Sequence, residues 1–167
     1  MEILLVVFII SLVYSLTLSN FKFSNTLKST KVSLENLPLY LSKYNDKFLD
    51  NLQLICLNDG KKCILKLDGQ TVEEVSDLFN EKPTVFQYNK DLQIINYDDI
   101  EIRHLDRYEV CFKYEINKYK KSKDMIVESN NKIYIFNSMY KKAIVLESTV
   151  DVYDYFDELN NEVRDAF

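Results

Sequence analysis

Residues 107–116 alternate in polarity. Tyr108, Val110, Phe112, Tyr114 and Ile116 take the even positions, and Arg107, Glu109, Cys111, Lys113 and Glu115 the odd ones. Side chains alternate across a strand, so this spacing predicts a half-buried β-strand. One face is apolar and aromatic. The other is charged and carries a thiol. We read this segment as a principal strand of the fold.

Other segments show the same two periods. Leu37, Tyr40, Leu41, Tyr44 and Phe48 have helical spacing, and Pro38 suits a first turn, so a helix is expected over Leu37–Leu49. Leu52–Leu67 reads as a β-hairpin. Asp59-Gly60 is a type I′ turn signal, and centring the loop there sets Cys56 opposite Cys63, Leu54 opposite Leu65 and Leu52 opposite Leu67. Thr71-Val-Glu-Glu74 has the form of a capping box. It predicts a short helix to about Asn80 with Val72, Val75, Leu78 and Phe79 inward, ended before Pro83.

From Thr84 onward, strands are expected at 84–88, 92–97, 100–105, 107–116, 125–128, 132–137 and 143–149. Ile133–Phe136 and Ala143–Leu146 are apolar on both faces, so both should be covered on both sides. Val152, Phe156, Leu159, Val163 and Phe167 share one helical face, and Ser148 with Asp151 can cap that helix. The pattern predicts an α+β fold. It has a mostly antiparallel sheet of six to eight strands and two or three helices, with a C-terminal amphipathic helix packed on the sheet.

The amino terminus changes the picture. Ile3–Val13 is an unbroken hydrophobic stretch apart from Ser11, followed by small residues at Ser15, Thr17 and Ser19. This is the pattern of a secretory signal, with cleavage after Ser15, Thr17 or Ser19, although Glu2 stands where a basic residue is usual. A span needs about 20 apolar residues, more than this stretch offers. The expected organisation is a signal peptide over 1–19 and a single α+β domain over 20–167. The localisation expected is secretion.

Composition adds origin rather than chemistry. Only 2 Gly, 2 Pro and no Trp occur in 167 residues. Lys, Asn, Ile, Tyr and Phe have AT-rich codons, so the bias points to an AT-rich genome, such as a parasite or large DNA virus. Net charge is -5, but it is segregated. Lys113–Lys142 holds eight lysines against three acids, and Glu147–Phe167 holds seven acids against Arg164. The densest basic feature contains Lys118, Lys120, Lys121 and Lys123, with Tyr114 and Tyr119 close by. It is a candidate anion-binding patch, set against the plainer reading of a solvated loop.

Three cysteines occur, at 56, 63 and 111. In an oxidising compartment Cys56–Cys63 is the first candidate disulfide. A strict two-residue loop would put that pair at the wider, hydrogen-bonded spacing, and a loop over 58–61 would bring it closer. Cys111 is then a free buried thiol or an intermolecular one that could link two copies.

Several chemistries are excluded. Gly60 and Gly69 are too far apart for dinucleotide, P-loop or nucleophile-elbow motifs. One histidine, His104, rules out a multi-His zinc site, and no C-x-x-C occurs. A Cys111–His104 dyad conflicts with strand alternation. Asp98, Asp99, Glu101 and Asp106 lack the spacing of a calcium loop and suit a turn.

No cofactor is implied. The expected function is that of a secreted, non-enzymatic binding or effector domain acting through its surface. Its partner would be a protein, or an anionic lipid or glycan at the basic loop; nucleic acid is not expected. The alternatives are a secreted hydrolase using Asp/Glu carboxylates and a signal-anchored membrane protein exposing the same domain to the lumen.

Overall fold

In the computed structural model, the residues described are 29–102, 106–137 and 141–165, with side chains over 32–101, 107–137 and 141–161. The expected signal segment 1–19 and His104 lie outside them. The elements are β1 (Ser29–Lys31), α1 (Leu37–Ser42), β2 (Asn51–Leu57), β3 (Lys62–Leu67), β4 (Gln70–Ser76), β5 (Thr84–Gln87), β6 (Ile100–Ile102), β7 (Asp106–Tyr108), β8 (Val110–Asn117), β9 (Met125–Ser129), β10 (Lys132–Phe136), β11 (Ile144–Leu146) and α2 (Thr149–Asp165). The α+β class holds, but the strands form three sheets instead of one. These are five-stranded (β1-β4-β3-β2-β8), four-stranded (β11-β10-β9-β5) and two-stranded (β6-β7). All pairings are antiparallel except β1 with β4.

The layers follow from side-chain alternation. Leu52, Leu54, Leu65, Phe112, Tyr114 and Ile116 of the five-stranded sheet face Val85, Met125, Val127 and Phe136 of the four-stranded sheet in one core. The other face of the four-stranded sheet gives Phe86, Ile126, Ile133 and Ile135, which pack against Val152 and Phe156 of α2. The order is therefore sheet, sheet, helix. β10 sits in the middle layer, which is why its sequence is apolar on both faces. The outer face of the five-stranded sheet carries a smaller cluster, Ile55, Leu57, Ile64 and Val110, beneath Tyr97, Ile100 and Tyr108. α2 starts as expected: Ser148 N–H donates to Asp151 Oδ2 at 2.9 Å and Asp151 N–H to Ser148 Oγ at 3.4 Å.

Four expectations about individual helices and strands need correcting. The first concerns residues 71–80. Asp68 (φ 48°) and Gly69 (φ 81°) form the two-residue turn with both φ positive, and Leu67 pairs with Gln70 across it. That turn sends the chain back as β4, so Thr71–Glu74 lies in a strand and not at a helix start. A register shift after Leu65 leaves Val72 at 38% exposure, while Val75, Leu78 and Phe79 are buried as expected.

The second concerns α1, which stops at Ser42. Lys43, Tyr44 and Asn45 N–H donate to carbonyls three residues back, so the helix tightens into turns. Third, residues 92–97 make no strand. Leu92 has φ 49°, and only an isolated bridge joins Ile94 to Phe86. Fourth, the strand expected over 107–116 is broken. Its register against β2 shifts, so that Leu57 meets Val110 and Cys56 meets Phe112. Cys111 is the extra residue. Phe112, Tyr114 and Ile116 keep their inward phase, each at 0% exposure, but Val110 now faces the outer cluster and Cys111 turns into the core.

Candidate functional site

The basic loop joins β8 to β9, and one residue organises it. Asn117 Oδ1 accepts from the N–H groups of Tyr119 (2.9 Å) and Lys121 (3.1 Å). The Asn117 carbonyl accepts from Lys120 N–H at 2.9 Å, and the Asn117 N–H donates to Lys121 O at 3.0 Å. Asn is suited to this because its short amide can bond backbone two residues on. Lys120 takes the left-handed conformation, φ 59°, and an Ile116–Ser122 bridge closes the base. The loop is thus held by its own backbone, and its side chains are left to other contacts.

The four lysines separate into three roles. Lys120 is structural: its ammonium lies 3.5 Å from the centre of the Phe48 ring and donates to Phe48 O at 3.1 Å. Lys118 is exposed, with its ammonium 5.2 Å from the centre of the Tyr119 ring. Lys121 and Lys123 are both exposed and flank Ser122. Together with Lys113 they line a cleft of about 640 Å³ whose apolar wall is Ile95, Tyr97 and Met125. Lys113 is paired with Glu115 at 2.8 Å. Burial works against the Glu115 carboxylate, but hydrogen bonds from Lys113 and Gln53 outweigh it and hold its pKa below the usual range. None of the ion pairs among the described residues uses Lys118, Lys121 or Lys123. Burial pushes the Tyr97 hydroxyl up to about 12, so it stays protonated, and it donates to Lys113 O at 3.4 Å. The cleft is therefore lined by two lysines outside every ion pair among the described residues, by the Lys113–Glu115 pair and by an apolar wall.

Cys56 and Cys63 form a disulfide across the loop 58–61, with Cα atoms 3.9 Å apart, the closer of the two antiparallel spacings. The turn is not type I′ at Asp59-Gly60, because the positive φ values fall at Asn58 (53°) and Gly60 (82°). Cys111 is unpaired and 5% exposed, with its thiol 3.4 Å from Cys56 O. Burial pushes that thiol up to about 11, so it is neither a ready nucleophile nor a ready cross-linking group in the folded state. Asp98, Asp99 and Glu101 are exposed, and Glu101 lies 3.9 Å from Arg107. Among the described residues no group of three His, Cys, Asp or Glu side chains is arranged to hold a metal ion.

One cluster escaped the sequence reading. Tyr40 O–H donates to Glu73 Oε2 at 2.6 Å, and Tyr44 O–H donates to the same oxygen. Burial first, then the carboxylate, raises the pKa of both phenols. The pair latches α1 to β4. Tyr40 and Tyr44 were visible at i, i+4 spacing; their partner, in a segment that reads as helix, was not.

Fold and site define a disulfide-pinned sheet–sheet–helix module with a lysine-rimmed, apolar-walled cleft at one loop. No protein-family model, curated protein or solved structure matches the chain.

Proposed function

We propose that this protein is a secreted, non-enzymatic binding module that recognises an anionic partner with the loop 117–123. The observation that carries this reading is the pair Lys121 and Lys123, exposed, outside every ion pair among the described residues, and lining one cleft from a backbone-ordered turn. An ordered turn loses little conformational freedom on binding, and unpaired cations need not break an existing bridge first. Secretion is supported by the apolar run 3–13 and the small residues after it.

The test is retention on immobilised heparin, a sulphated polyanion. Lys118→Glu, Lys121→Glu and Lys123→Glu are combined, and Lys120 is left in place because it packs on Phe48. The parent should be retained and released by salt, and the triple variant should flow through. Equal retention of the two proteins would overturn the proposal.

A further inference from the structure

Leu49 and Tyr119 are the most exposed large hydrophobic side chains among the described residues, at 86% and 71%. They belong to different loops but the same place. Asn51 pairs with Asn117 at the end of the β2–β8 ladder, and Leu49 and Tyr119 stand two residues beyond each partner. The contact of Lys120 with Phe48 ties the two loops together. The Leu49 loop is ordered as well: Asp68 carboxylate oxygens accept from the N–H groups of Leu49 (2.9 Å), Asp50 (2.8 Å) and Asn51 (3.0 Å). Single exposed apolar residues are ordinary; two at one tip, on two pinned loops, are not. Lys118 lies against the Tyr119 ring, and Lys121 and Lys123 follow on the same loop; the acids close by are Asp124, next after Lys123, and Asp68, whose carboxylate is taken up by the N–H groups of the Leu49 loop. The neighbouring loop adds Lys47 against Asp46 and Asp50.

We infer that this tip docks on a lipid surface bearing anionic headgroups. Leu49 and Tyr119 enter the interface, and Lys118, Lys121 and Lys123 lie at the level of the headgroup phosphates. The inference rests on the anion-binding reading above and names its partner. Charge alone would fit any polyanion; the apolar pair at the centre is what fits a bilayer, since a sulphated glycan offers nothing apolar to receive it. A Tyr ring with its hydroxyl suits the boundary between acyl chain and water. Among the described residues no helix is long and apolar enough to cross a membrane.

The experiment is co-sedimentation of the full chain with vesicles of phosphatidylcholine alone and of phosphatidylcholine mixed with phosphatidylserine. Any contribution from the apolar run 3–13 is common to all variants and shows in the neutral arm. The parent should bind the mixed vesicles and release with salt. Each lysine near an anionic surface is worth about fivefold in partitioning, so Lys118→Glu, Lys121→Glu and Lys123→Glu together should cost about a hundredfold or more. Leu49→Ser, in the neighbouring loop and outside 117–123, should cost about fivefold on vesicles while leaving heparin retention unchanged. Leu49 is outside the core, and an unchanged melting curve shows that the variant is folded. If the parent is retained on heparin but shows no preference for the mixed vesicles, the lipid inference is wrong and the anion reading stands. If the serine variant binds vesicles like the parent, the lipid inference is wrong again. Failure on both heparin and vesicles removes both readings.

Discussion

Replacing Gly60 with alanine puts a methyl group where Phe79 already sits. A Cβ built there lies 2.9 Å from Phe79 Cβ and Cδ2 and 3.1 Å from Cγ. Phe79 cannot withdraw easily. It is fully buried and packs edge-on against Phe112, with ring centroids 5.2 Å apart. Gly60 also has φ +82°, where a residue with a Cβ is strained. Two costs therefore add: about 1–2 kcal/mol for the backbone and about 1–3 kcal/mol for the overpacked core. The sum, about 2–5 kcal/mol, is a large part of the 5–15 kcal/mol typical of a domain.

Gly69→Ala is the control. Its φ is +81°, but nothing lies within 4 Å of the added Cβ, so it carries the backbone cost alone. Urea unfolding of both variants, with the disulfide intact, should give equal slopes and a lower midpoint for Gly60→Ala. The gap between the two variants measures the Phe79 contact. If Gly69→Ala is as destabilising as Gly60→Ala, the packing of the 58–61 loop on Phe79 is misassigned.

Other expectations follow from the same structure. Removing the disulfide as Cys56→Ala with Cys63→Ala opens a loop of sequence separation 7 and should cost about 2–3 kcal/mol, a fall in Tm of roughly 5–10 °C by calorimetry; an unchanged Tm would mean that the bond contributes nothing. Cys111 should resist a thiol reagent in the folded protein near neutral pH and react on unfolding, and fast reaction without denaturant would contradict its burial. Its folded pKa, about 11, lies above the usual thiol value. The unfolded chain therefore loses that proton first, and stability present below about pH 9 declines towards pH 11, a slope that Cys111→Ala should reduce in urea midpoints measured across that range. Mass spectrometry of protein recovered from the culture medium should show a start after Ser15, Thr17 or Ser19, and an intact Met1 would argue for the anchored alternative.

Local signals in the sequence carried far, and failed where a distant partner decided. Phe112, Tyr114 and Ile116 were readable as inward because alternation is a property of the strand itself. Val110 was not, because its phase depends on a bulge against Cys56 and Leu57. Of two Asp-Gly pairs, the one at 68–69 is the type I′ turn, and the capping-box pattern after it concealed the hairpin. Thr71–Glu74 satisfies the local rule for a helix start, yet pairing with β3 and the parallel edge strand β1 outweighs it. The basic loop was legible as a run of charge. That Lys120 is spent on Phe48 while Lys121 and Lys123 share a cleft was not, since the cleft wall comes from Ile95 and Tyr97, in a segment whose pattern suggests a regular strand.

The most direct test is a titration of the protein with a short heparin oligosaccharide, followed by amide-resonance shifts in NMR. The resonances of Asn117–Lys123 and of Ile95–Tyr97 across the cleft should move together and reverse on adding salt. Shifts centred instead on Lys132 or Lys141–Lys142, or no shift at any of these positions, would contradict the assignment of the site.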